Sequence, residues 1–115
     1  MPLRAQPPPV GNEHSFVVDS LLRRNVLRLL NPSGSWARAL WARSLRGFRK
    51  YGVLLQPNNG RSAHQDAEEE VLDLLMYLEQ MRLEGGGLRV RLLQGAAFLL
   101  LFFLSGSSLE SLEET

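Results

Sequence analysis

Residues 62–84, SAHQDAEEEVLDLLMYLEQMRLE, decide how the chain is read. Ser62 followed three residues later by Gln65 is a capping-box pattern, and the glycines at 85, 86 and 87 stop the periodic run, so the spacing predicts one long helix. At about 100° per residue, Asp66, Glu70, Asp73 and Tyr77 fall within roughly 40° of one line, with Glu69 beside it. Val71, Leu74, Leu75, Leu78 and Met81 gather on one flank and Leu72, Met76 and Leu83 on the other, while Glu68 and Glu79 mark the opposite face. Acids held between two apolar seams repel one another, and desolvation raises the cost. The row therefore calls for a counterion: a divalent metal with oxygen ligands, arginines from a neighbouring helix, or protons. The alternative is a solvated face.

At 115 residues the chain is at most one small domain, near the lower end of sizes that bury a self-sufficient core, and a homo-oligomer is expected. With no cysteine, disulfides and thiolate metal sites are excluded and nothing points to an oxidising compartment, so a cytoplasmic location is expected. The net charge of +1 conceals a division: residues 1–61 hold ten Arg/Lys and two Asp/Glu, residues 62–115 three and ten. A basic half alone would suggest nucleic acid or anionic lipid. The acidic half makes an internal complement, or a shared site for phosphate and metal, at least as good a reading.

Residues 1–14 read as a disordered proline-rich leader without the apolar core of a signal peptide. A helix is predicted from about Ser15 to Leu30, with Val18, Leu21, Leu22, Val26, Leu29 and Leu30 on one face, and Asn-Pro-Ser-Gly at 31–34 breaks it. A second helix, from about Ser35 to Tyr51, is expected to bury Trp36, Leu40, Trp41, Leu45 and Phe48 and to end at Gly52. Its arginines, interleaved with aromatics, are compatible with nucleic acid, but aromatics recurring at helical spacing with leucine read as core, so no nucleic acid is expected. Residues 53–61, VLLQPNNGR, form an ordered loop, and Arg61 beside the start of the long helix is a candidate phosphate contact. His14 and His64 take exposed or capping roles, since His64 projects about 160° from the acid row.

Beyond the glycines, 88–104 reads LRVRLLQGAAFLLLFFL. A bilayer span needs about 20 residues. The segment is therefore read first as a short helix buried against another subunit or the domain core, and second as a membrane tail anchor, with Arg89 and Arg91 at one boundary and Glu110, Glu113 and Glu114 beyond the other.

The stretch YGVLLQPNNGRSAHQDAEEEVLDLLMYLEQ at 51–80 resembles short MazG-like proteins of phages and actinobacteria, members of the all-α nucleoside triphosphate pyrophosphohydrolases. Tyrosine-glycine, leucine-glutamine-proline and asparagine-glycine-arginine precede an acidic helix in which an ExxD pair, here Glu70 and Asp73, is followed four residues later by a tyrosine, here Tyr77. The resemblance implies hydrolysis of a nucleoside triphosphate to monophosphate and pyrophosphate by a helical oligomer. It implies Mg2+, or Mn2+, on the acidic residues, with Glu70 and Asp73 as principal ligands. The family's further EExxE pattern has no counterpart in residues 35–61, which hold no Asp or Glu, so Asp66 and Glu69 or a second subunit would supply the remaining ligands. Arg61 and Tyr77 are the candidate substrate contacts.

The expected architecture is all-α, three main helices plus an apolar C-terminal helix, assembled as an oligomer. Residues 15–84 are the MazG-like domain and 85–115 a glycine linker, apolar helix and acidic tail. The alternatives to the hydrolase are a catalytically silent helical interaction protein and a small tail-anchored adaptor.

Overall fold

In the computed structural model, which describes residues 4–105, every regular element is helical: α1 Val17–Leu22, α2 Asn25–Leu30, α3 Ser35–Tyr51, α4 Ala63–Leu83 and α5 Leu88–Ser105. They fall into two compact units, residues 6–61 and residues 62–105 with Arg4 and Ala5. The expected domain of 15–84 spans parts of both. The acidic tail beyond Ser105 lies outside the described residues.

In the first unit the helix expected over 15–30 is two helices. Arg24 is extended (φ −75°, ψ 125°), and Asn25, a residue that favours helix ends, opens α2. The break turns Leu21, Val26, Leu27 and Leu30 toward Trp36 and Leu40 around a hollow of about 190 Å3. The predicted core does not form as drawn: Val18 is buried, but Trp36, Trp41 and Phe48 are exposed. α3 itself starts and stops as its sequence indicates. The Asn31 side-chain oxygen accepts from the Trp36 amide at 2.9 Å, and Gly52, at φ 75°, closes the C-terminal end.

The leader, expected to lack structure, is held along its second half by the 53–61 loop. Gln56, buried, accepts from the Asn12 amide with Oε1 (2.9 Å) and donates from Nε2 to the carbonyls of Asn12 (3.0 Å) and His14. The Asn12 side chain returns bonds to the carbonyls of Pro57 (2.7 Å) and Asn58 (3.1 Å), and the Val10 amide reaches the Asn59 carbonyl at 2.9 Å. Composition pointed to disorder, but a buried primary amide with both ends matched offsets the ordering entropy. Gln56→Ala leaves the Asn12 amide and two carbonyls without partners. Its expected outcome is release of the leader, seen as proteolytic cleavage near Asn12 and fast amide exchange there, and a stability loss of about 1–3 kcal/mol.

The second unit is a helical hairpin. The Ser62 hydroxyl caps α4 by accepting from the Gln65 amide at 3.1 Å, as the capping box predicts. At the far end the Gly85 amide donates to the Arg82 carbonyl (3.2 Å) and the Gly86 amide to that of Met81 (2.8 Å), while Gly85 takes φ 96°. The paired bonds satisfy carbonyls that a helix end leaves free. The chain then reverses and α5 packs back along α4. Glu68, Leu78, Val90 and Ala97 are the unit's buried residues.

Burial of the C-terminal helix inside the chain's core is not observed. Phe98, Leu99, Leu100, Phe102 and Phe103 are all exposed, because α4 covers only one side of α5. By length and composition α5 could cross a membrane, and only 11% of it is buried, unlike the core helix of a soluble protein.

Candidate functional site

α4 places the acid row on the face opposite its seam with α5, because Glu68 and Leu78, roughly half a turn of the helix from Asp66 and Asp73, are the residues buried there. Glu70 and Asp73 are exposed; Asp66 and Glu69 are half-buried. Tyr77, 65% exposed, stands one turn beyond Asp73. Asp66 lies in the first turn of α4, where free N–H groups and the helix dipole favour a carboxylate. The Gln65 side-chain Nε2 donates to Glu69 Oε1 at 3.4 Å. Among the described residues Glu70 and Asp73 have no hydrogen-bond or ion-pair partner.

The expectation that buried apolar seams enclose the row does not hold beside the acids. Val71, Leu75 and Leu78 turn inward, whereas Met76 and Leu83 on the other flank are exposed, as are Leu74 and Met81. The row is therefore an open acidic face bordered by uncovered apolar side chains. Among the described residues no group of three or more His, Cys, Asp or Glu side chains converges to hold a metal. A pair of carboxylates one turn apart still suits Mg2+ or Mn2+, hard ions that take oxygen ligands. Mg2+ characteristically uses one or two carboxylates, with waters and substrate phosphates completing its shell.

The Arg61 guanidinium donates to the Pro7 carbonyl at 2.7 Å and its amide to Asn59 Oδ1 at 3.1 Å. The loop that carries the resemblance thus spends Gln56, Asn59 and Arg61 on fixing the leader. No family model, curated protein or solved structure matches the chain. The functional reading therefore rests on residues and geometry.

One polar constellation escaped the sequence reading. Glu68, assigned to the face opposite the acids, is 3% exposed at the seam with α5. Its carboxylate pairs with His64 Nε2 at 3.1 Å and accepts from the Ser105 hydroxyl at 3.4 Å. His64 Nε2 also meets the Leu104 carbonyl. Both of its partners are acceptors, so this nitrogen carries the hydrogen. The signal was there in the His64/Glu68 spacing of four, which puts the pair on one side of α4.

Proposed function

We propose that the chain is a magnesium-dependent nucleoside triphosphate pyrophosphohydrolase acting in the cytoplasm, with its site on α4 around Glu70 and Asp73. The observation that carries this reading is an exposed acid pair, unengaged among the described residues and bordered by exposed Leu74, Met76 and Tyr77. Within the ExxD resemblance, Glu70 and Asp73 would hold the ion and through it the phosphates. A bound Mg2+ would supply charge neutralisation and a water of lowered pKa.

Water adds to the α-phosphorus, the bond from that phosphorus to the bridging oxygen breaks, and monophosphate and pyrophosphate leave. A carboxylate of the row takes the water's proton, and the Tyr77 hydroxyl donates to substrate. Among the described residues one chain brings the ion a single pair of carboxylates, and further acids would fix it more firmly. A second copy, apposed through Leu74, Met76 and Tyr77, brings its own row and completes the site.

The test is purified protein with Mg2+ and a panel of ribo-, deoxyribo- and base-modified triphosphates. Pyrophosphate and monophosphate should appear in equal amounts, cease with a chelator and resume with Mg2+ or Mn2+. No turnover across the panel favours the second reading, which the exposure of α5 supports: a helical interaction protein held at a membrane by its C-terminal helix.

A further inference from the structure

The exposed apolar surface of α5 and the polar contacts at its end belong to one device. From Gly95 to Leu104 no residue is polar, and exposed Phe98, Leu99, Leu100, Phe102 and Phe103 sweep about 200° of the helix circumference. Packing against one neighbouring hairpin covers a stripe of about 100°. A second copy would leave much of this surface wet, whereas hydrocarbon covers all of it. The 18 residues of α5 reach about 27 Å, close to a bilayer core of about 30 Å, with Arg89 and Arg91 in the first turn able to extend toward headgroups.

The closed hairpin cannot make that crossing. α4 runs antiparallel beside α5 and carries Asp66, Glu69, Glu70, Asp73 and Glu79 along its length, so every depth of the bilayer would receive a carboxyl side chain. α5 must first leave α4. Among the described residues, polar contacts fasten its far end where His64 and Glu68 hold Leu104 and Ser105; its near end joins α4 through glycines 85–87.

We infer that α5 is a membrane-inserting helix stored against α4, that the His64–Glu68 contacts with Leu104 and Ser105 are the latch, and that the partner is a lipid bilayer. The inference rests on the membrane reading of α5 and is independent of the hydrolase, whose acid row lies on the opposite face of α4.

The chain contains no cysteine, so spin labels can be placed on the full-length protein by Ala63→Cys and Phe103→Cys, both exposed positions. The distance between them should be short in buffer and lengthen by tens of ångströms on vesicles of phosphatidylcholine with a minority of phosphatidylglycerol. In co-flotation, His64→Ala, at a side chain 45% exposed, should raise the vesicle-bound fraction about fivefold, the factor one ordinary hydrogen bond represents. Phe98→Lys with Phe103→Lys should abolish binding while circular dichroism stays unchanged.

Absence of flotation, with or without a dimer that covers α5, overturns the proposal. So does flotation with the label distance unchanged, which would put a closed hairpin on the surface, and so does a His64→Ala protein that binds no better. Pyrophosphate release measured on the same samples reports separately on the catalytic reading.

Discussion

Asp73→Asn is expected to remove pyrophosphate release, lowering kcat/KM by at least about a hundredfold. Replacing a group that merely supports a metal ligand costs about 10- to 100-fold, and Asp73 is placed as a ligand itself. The substitution keeps the shape of the side chain and removes the negative charge that holds the ion. Because Asp73 is exposed and has no partner among the described residues, the unfolding free energy should stay within about 0.5 kcal/mol of the parent. Glu70→Gln should behave alike. Glu79→Gln should leave turnover intact, since Glu79 lies off the row and is paired with Arg82. If two copies build the site, specific activity should also fall on dilution as the assembly dissociates. An Asp73→Asn protein with unaltered turnover would remove the acid pair from the chemistry.

Gly86→Ala is expected to be the most destabilising single-methyl change in the hairpin. A Cβ there would sit 2.6 Å from Val90 Cγ2 and 2.7 Å from the Met81 carbonyl oxygen, the atom that accepts the Gly86 amide. Backbone must move, so the closing bond and the start of α5 shift together, at a cost of about 1–3 kcal/mol. Gly85 differs: a Cβ there meets nothing within 4 Å, and only its φ of 96° resists substitution, for about 1–2 kcal/mol. Asn, tolerant of that conformation, should therefore be accepted better at 85 than at 86. Thermal unfolding of Gly85→Asn beside Gly86→Asn checks the contrast, and equal midpoints would contradict the geometry.

The same pair of glycines shows how far the sequence could be read. That residues 85–87 end a helix was legible from composition; which glycine is held by conformation and which by crowding required the position of Val90. The extents of α3 and α4 and the Ser62 cap were legible because each has a terminator that acts locally. The exposure of Trp36, Trp41 and Phe48 was not, since helical periodicity identifies an apolar face without saying what covers it.

At the candidate site, periodicity grouped Asp66, Glu70, Asp73 and Tyr77 on one face of α4. Which side of that helix would turn inward depended on α5, and this sent Glu68 to the seam and left Met76 and Leu83 in water. Composition likewise read the leader as unstructured, because the group that orders it, Gln56, is more than forty residues away in sequence.

Gln56 presents one acceptor and two N–H donors to the main chain at Asn12 and His14, a pairing that resembles the edge of a neighbouring β-strand. Such an amide reads position as well as presence: moving the leader by a single residue would set donor against donor. A one-residue deletion between Asn12 and Val17, whose amide is itself tied to the Leu55 carbonyl at 3.0 Å, cannot be absorbed by slippage. The leader has a single frame, and losing that frame unzips it from the loop altogether.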